Sequence, residues 1–577
     1  MQKMLKNSLV YMLAAALMMT VIGAGFSEAV SASGNIQILK SDYAVVDRKM
    51  KVTVDVYNSG SGSQGGAVAI GKDEQGNPIE IKGKSQYMSK NSTAVFEILL
   101  DSGASVKSVE VLPTGNKIDV ALLGYGSRIN GDYLEVTGAV ENGQSGQTAG
   151  IVVFGLDKQG RTVEVKGAHA YISNGSVGNF NVQLKRKELI HTVKVEATGD
   201  ANAITLLGFG QTVISGKTVV TASVENGGSG RPVGVVFEGY DSNGKLLEVK
   251  AAHQYLAKQS VGNYEVTLQA GSQISTVKAF ATGKASHLEL LSFGSRLVDG
   301  KWSVTSVIEN GESGLTAGAV VQGFDARGRL VEVRAANQYL SSQSTGNFER
   351  VLLAGNQVKK IQVRAAGGYQ VPKAWGYGIY QANGRNFVTT AVTNGSKGQT
   401  ITVKVTPYNA RGKSMSVKTS KKYISANGTS EFQIALDGGS AHASVTMYDE
   451  NGQVVTMPSV SGIDVEIDGV LQSYEQPPVN LGGSILVPMR SIFEALGSEI
   501  KWNGATRSVT SEKNGVVIKL TIDSKVATIQ GKQITLNTAP TIVNQATMVP
   551  IRFVSEALGA DVIWDADSST VRITTKK

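Results

Sequence analysis

The stretch LEVTGAVENGQSGQTAGIVVFGLDKQG, running from Leu134 to Gly160, decides the fold. Leu134, Val136, Gly138 and Val140 alternate with positions expected to face solvent, which is the period of a half-buried strand. Glu141-Asn142-Gly143 with Ser145-Gly146 then breaks the run in a glycine-rich turn. Ile151 to Leu156 is apolar on both faces, as a central strand requires. Asp157-Lys158-Gln159-Gly160 ends it with a turn, because Asp starts a turn through its side chain and Gly takes a positive φ.

Working outward, Val163 and Val165 resume the alternation, and Phe180, Val182 and Leu184, then Val193 and Val195, repeat it. No stretch offers a helical stripe of useful length. Six or seven short strands between Asn116 and Gly199 predict a β-sandwich.

The same frame recurs at one constant step, at Asn58, Asn142, Asn226, Asn310 and Asn394, and Tyr87, Tyr171, Tyr255, Tyr339 and Tyr423 each follow their asparagine at one fixed interval. The turn recurs too, at Asp73 to Gly76, Asp241 to Gly244, Asp325 to Gly328 and Asn409 to Gly412. The chain is therefore predicted to be mainly β, with repeats at 33–115, 116–199, 200–283, 284–367 and 368–451, a linker at 452–459 and a separate domain at 460–577. Copies one and five drift from the others, with Tyr57 and Thr393 where Glu141, Glu225 and Glu309 stand, as capping units do. The asparagine-glycine turn, the strand ending in Tyr240-Asp241-Ser242-Asn243-Gly244 and the aromatic strand at Tyr264 resemble bacterial extracellular Ig-like modules. Units of this size are each about 30 Å across, so five in line extend roughly 150 Å. Gly199 is followed closely by Leu206-Leu207-Gly208-Phe209-Gly210, which leaves little room for flexible linkers and predicts a semi-rigid rod.

The first residues read as a signal peptide, 1–32: Lys3 and Lys6 precede an apolar run from Leu9 to Phe26, and Val30-Ser31-Ala32 supplies small residues before a cut near Ser33. The alternative is an uncleaved anchor, since the run is about long enough to span a bilayer. No later segment is long and apolar enough to do so. Cysteine is absent, which excludes disulfides, a zinc-thiolate site, a catalytic thiol and a lipidated cysteine, and suits export from a Gram-positive bacterium. The formal charge of +9 falls in the repeats, scattered rather than clustered, so nucleic acid is a poor partner and a polyanionic cell wall a better one.

Beyond Val460 the pattern changes. Leu486-Val487-Pro488-Met489-Arg490, Phe493-Glu494-Ala495-Leu496-Gly497 and Trp502 recur further along, at the same mutual spacing, as Met548-Val549-Pro550-Ile551-Arg552, Ser555-Glu556-Ala557-Leu558-Gly559 and Trp564. Proline suits the first turn of a helix and glycine the position just past its end, so each motif predicts a short capped helix followed by a strand. Arg490 with Glu494, and Arg552 with Glu556, stand four apart, at helical pairing distance. This duplicated unit resembles the copper amine oxidase N-terminal-like domain, or stalk domain, over roughly Val460 to Lys577. The resemblance implies an α+β peripheral appendage, because in the oxidases the copper and quinone chemistry belongs to a separate catalytic domain.

An oxidase of that kind needs a His-x-His pair and a tyrosine converted to topaquinone. The histidines His169, His191, His253, His287 and His442 include no such pair, and the equivalents of His169 and His253 are Ser85, Asn337 and Lys421. Ser260-Val261-Gly262-Asn263-Tyr264-Glu265 resembles a topaquinone context, but Tyr264 aligns with Phe96, Phe180, Phe348 and Phe432, so an aromatic is wanted there for packing. Leu112-Pro113-Thr114-Gly115 resembles a sortase signal but is internal and aligns with Ala197-Thr198-Gly199, an ordinary strand end. Asp565 and Asp567 read as solvated carboxylates rather than a cation site. No catalytic, cofactor-binding or metal-ligating residue is assigned, and no cofactor. The reading is a secreted, non-enzymatic envelope or matrix protein whose repeats space or display a surface and whose C-terminal domain docks it. The partners in view are anionic wall polymers, glycan or a surface protein. The alternatives are an adhesin, with Trp302 and Trp375 as either binding platforms or core residues, and an accessory subunit of an extracellular enzyme.

Overall fold

The computed structural model describes residues 35–409, 413–455, 464–468, 470–471, 478–481, 484–543, 546–565 and 570–575. The expected signal segment, part of the expected linker, Gly412, Asp567 and the side chains of His442 and Asp565 lie outside the described residues. The chain forms two compact units. One holds the described residues up to Thr212 with Val220–Gly230 and Leu256–Tyr264, and the other holds Val213–Val219, Arg231–Tyr255 and the described residues from Glu265 onward.

In the first unit Ile36–Val46, Lys49–Asn58 and Ser92–Leu100 pair antiparallel, with Lys49–Asn58 in the middle. Pro78–Met88, Ser63–Lys72 and Ser108–Thr114 form a second sheet about Ser63–Lys72. The two enclose a core that includes Val52, Val54, Phe96 and Leu100. The second copy repeats this plan, with Tyr133–Asn142 central in one sheet and Gln147–Leu156 central in the other. Each of these two copies is thus a three-plus-three sandwich, the lower of the two strand counts expected. In the second unit the fourth copy is built about Lys301–Asn310 and Leu315–Phe324, and the fifth about Arg385–Thr393 and Gln399–Asn409.

One expectation needs correction. Tyr133–Asn142 does not alternate between core and solvent: Glu135, Thr137, Ala139 and Glu141 are buried as well as Val136 and Val140. The cause is the preceding repeat, whose edge strand lies on this face. Ile81 donates its backbone N–H to Thr137 Oγ1 at 2.9 Å, and Gly83 exchanges hydrogen bonds with the Asn179 amide at 2.6 and 2.8 Å. Val165 and Gly167 make the same contacts with Thr221 and Asn263. In the second unit Val249 and Ala251 do so with Thr305 and Asn347. The free edge of each of these sheets is thereby paired with side chains instead of being left open to other chains. In the first copy Lys49–Asn58 does alternate, and the outward positions Lys51 and Asp55 are polar.

The C-terminal residues form a separate α+β body in the second unit. Ser484–Pro488 pairs antiparallel with Ala546–Pro550, with Val487 opposite Val549, so the two copies of the Val-Pro motif meet about a local two-fold. The expected helices follow as Met489–Ala495 and Ile551–Ala557. Pro488 and Pro550 sit one residue earlier than the first helical turn, at the cap. Gly497 and Gly559 take φ of +71° and +83° just past each helix, as the capping argument requires. Ile492, Phe493, Val554, Val509 and Leu520 are part of one core between these helices and a five-stranded sheet from Glu499–Asn503 to Lys532–Thr535.

Candidate interaction surfaces

The frame asparagines are fully buried clasps. Asn142 Nδ2 donates to the Ser145 carbonyl at 3.0 Å and to the Ile172 carbonyl at 2.9 Å, while its Oδ1 accepts from the Gln144 N–H at 3.1 Å. Asn58, Asn226, Asn310 and Asn394 donate to the carbonyls at the equivalent positions of their own repeats. The side chain ties the crossover between the two sheets to the end of the edge strand. A primary amide suits the place, because it presents two N–H donors and an acceptor oxygen together.

The tyrosine beside each clasp has the opposite environment. Tyr87, Tyr171, Tyr255, Tyr339 and Tyr423 are between 64% and 70% exposed, although apolar neighbours on the same strands are buried. The hydroxyl ends of Tyr87, Tyr171, Tyr339 and Tyr423 lie over Gly62, Gly146, Gly314 and Gly398, where a Cβ would stand within 2.1 Å of the oxygen. Glycine in the crossover lets the ring lie down on the loop, and the ring remains open to solvent. The sequence carried this signal as a five-fold aromatic at constant spacing, and it served there only as a register mark.

The glutamate before the clasp holds the boundary between repeats. Glu141 Oε1 accepts the Lys117 N–H at 2.8 Å, and Glu309 Oε1 accepts those of Gly283 and Ala285 at 2.7 and 3.4 Å. Burial pushes the carboxyls of Glu141, Glu225 and Glu309 above the ordinary range, against the pull of these backbone N–H groups. Tyr57 stands in the first copy, where no described repeat precedes it. In the fifth copy Thr393 instead accepts from Trp375 Nε1 at 2.7 Å.

His169 and His253 also belong to repeat junctions. Val261 donates its N–H to His169 Nδ1 at 3.1 Å, and His253 Nδ1 lies 3.1 Å from Thr345 Oγ1. Ser85 and Asn337 reach the next repeat from the same position, Ser85 accepting from Val177 N–H at 3.0 Å and Asn337 donating to the Thr429 carbonyl. Burial lowers the pKa of both imidazoles. A depressed folded pKa means that the contribution to stability is complete above the ordinary histidine value of about 6.5 and is lost as pH falls through it toward the folded pKa. Protonated Nδ1 cannot accept the Val261 N–H. An NMR titration is expected to place the His169 midpoint below about 6.5, and H169N, which installs the residue of the fourth copy, should remove that part of the pH dependence. A midpoint above the ordinary value contradicts this.

Tyr264 is 5% exposed and packs in the core like its phenylalanine equivalents, while its neighbour Asn263 is the junction clamp. Trp375 is a core residue at 4% exposure, and Trp302 is partly buried against the fourth-copy core with Lys245 Nζ 4.5 Å from its ring centroid. Ser108–Thr114 is a sheet strand paired with Ser63–Lys72, ending at Gly115 with φ +99°. Neither Arg490 with Glu494 nor Arg552 with Glu556 forms an ion pair among the described residues, although the spacing allows it. The described residues contain no group of three metal-ligating side chains, and no helix among them is long and apolar enough to cross a membrane.

Residues 466–573 match the family model of the copper amine oxidase N-terminal domain, so the C-terminal body belongs to that class. A protein from Brevibacillus choshinensis described as a protease inhibitor is 29% identical over 131 residues, which is 22% of this chain and 40% of that protein. The match thus spans under half of that relative's length. Among solved structures, a tetra-tandem repeat from the extending region of a large adhesion protein is 11% identical, covering 71% of this chain and 94% of its own, at a TM-score of 0.11. The BSP domain of a biofilm associated protein is 10% identical, covering 76% of this chain and 97% of its own, also at 0.11.

Proposed function

We propose that this is a secreted, non-enzymatic protein of the Gram-positive envelope or matrix, in which the repeats space and display a multivalent surface and the C-terminal domain is a docking module. The observation that carries the reading is the five-fold exposed tyrosine at one position of successive sandwiches. Side-chain clamps at the junctions support a stiff spacer, because each buries the edge of one repeat in the next. An exposed aromatic ring is a platform for a sugar face, and the net charge of +9 favours anionic wall polymers. Five weak contacts on one chain gain avidity without any deep pocket. Co-sedimentation of the whole chain with purified Gram-positive walls tests the reading. Attachment is expected to weaken as salt rises, because exposed charges are screened, and failure to sediment at low salt overturns it.

A further inference from the structure

The C-terminal domain holds a cavity of about 430 Å³ beside the helix Ile551–Ala557, with Ser484 and Ile485 of the first half also in its wall, within the size range of small-ligand sites. Its floor includes the buried Leu536 and Ile551, and its rim carries Arg552, Glu556, Asn537 and the aromatic pair Phe553 and Trp564. Among the described residues the Arg552 guanidinium, the Glu556 carboxylate and the Asn537 amide have no hydrogen-bond or ion-pair partner. Arg490 and Glu494 are likewise not paired with each other, so what sets Arg552 and Glu556 apart is that they line the cavity. Trp564 is 40% exposed, so part of its ring is open. The first half of the domain repeats Arg490, Glu494 and Trp502 but has Ser491 in the place of Phe553, so the second aromatic belongs to the second half alone.

We propose that this cavity binds a carboxylate-bearing sugar of an extracellular glycan, a step that rests on reading the C-terminal domain as the docking module. An indole face accepts the apolar face of a sugar ring. A free guanidinium matches a carboxylate through two parallel N–H groups, which an ammonium does not offer. Glu556 and Asn537 are then placed for hydroxyl and amide N–H groups, the carboxylate as acceptor and the amide as both acceptor and donor. A neutral sugar leaves Arg552 without its counter-charge, and a peptide lacks the ring that Trp564 is open to receive.

Calorimetric titration of the whole chain with a disaccharide of N-acetylglucosamine and N-acetylmuramic acid, with neutral N-acetylglucosamine disaccharide and a carboxylate-ended tripeptide in parallel, tests the assignment. Saturable binding of the acidic disaccharide alone is expected. R552A should weaken it about tenfold or more, the worth of a charge-assisted hydrogen bond, with R552K recovering only part. W564A should abolish it, and R490A should leave it unchanged. No saturable binding, equal binding of the neutral sugar, preference for the tripeptide, or an equal loss in R490A each overturns the proposal. R552A is a surface change, so its effect is separable from folding. Wall attachment through the repeats is read by co-sedimentation of the same R552A chain. Wall attachment with no sugar binding by the unaltered chain sinks the pocket and leaves the array reading standing, whereas failure of the unaltered chain to attach to walls sinks the array reading.

Discussion

Gly294→Asp is expected to open the junction between the third and fourth repeats and to cost about 3 kcal/mol of stability, the sum of overpacking and a charge buried without a partner. The reason is a backbone approach. A Cβ at Gly294 would stand 2.6 Å from the Glu248 amide nitrogen and 2.8 Å from its Cα, both too close for any rotamer to relieve. Gly126, Gly210 and Gly378 meet the preceding repeat in the same way, at Glu80, Glu164 and Glu332. The first copy carries Asp42 in this position, exposed and paired with Lys40 at 2.7 Å. The swap therefore places a residue the chain already uses into a site where a repeat precedes it. Hydrogen exchange reads the result locally. Protection should fall at Val249 and Ala251, whose N–H groups are held by Thr305 and Asn347. The reverse change, Asp42→Gly, should cost under about 1 kcal/mol. Equal effects of the two exchanges would remove the argument that glycine is required by the neighbouring repeat.

Asn310→Ala is expected to destabilise the fourth sandwich by about 3 kcal/mol, because it strands several buried groups at once. Asn310 is fully buried and donates to the carbonyls of Ser313, Leu340 and Ser341 at 3.0, 3.2 and 3.2 Å, while accepting the Glu312 N–H at 3.2 Å. Alanine satisfies none of these groups and leaves a cavity as well. Asn310→Asp should be at least as damaging, since a carboxylate has no proton to give the carbonyls. Urea unfolding followed by fluorescence in a chain with Trp502 and Trp564 changed to phenylalanine, so that Trp302 and Trp375 report alone, measures the change. A midpoint unaltered by the alanine would show that the asparagine marks the repeat without holding it.

The fold was legible in the sequence where one strand sees one environment. Apolar runs such as Ile151 to Leu156, the Asp-to-Gly turns and the paired Val-Pro motifs each pointed to the element that formed, because local propensity and burial agree there. The period of two failed at Tyr133–Asn142, where Thr137 and Glu141 look solvent-facing in isolation and are buried only by a neighbouring repeat. A comparison with the first copy carried the missing information. Lys51, Asp55 and Val95 stand where Glu135, Ala139 and Asn179 stand in the second copy, the pattern of a face with no repeat upon it. The tyrosines were visible as a period, but the crossover glycines that Tyr87, Tyr171, Tyr339 and Tyr423 lie over are a contact that spacing alone does not reveal. His169 and His253 were set aside as ligands in the sequence, and the junction role they do have was not visible there. Their position is a junction contact that serine, histidine and asparagine each fill, so the residue type varies while the geometry persists.

If the repeats act together as a multivalent surface, wall co-sedimentation of chains in which Tyr87, Tyr171, Tyr255, Tyr339 and Tyr423 are changed to alanine one after another will show it. Each ring is at least 64% exposed, so its removal is expected to leave urea unfolding nearly unchanged. Apparent affinity for the walls should then fall step by step, with the largest total loss in the chain lacking all five. Attachment unchanged in that chain, at the same salt and with the fold intact, would contradict the account and make the tyrosines covers for their loops.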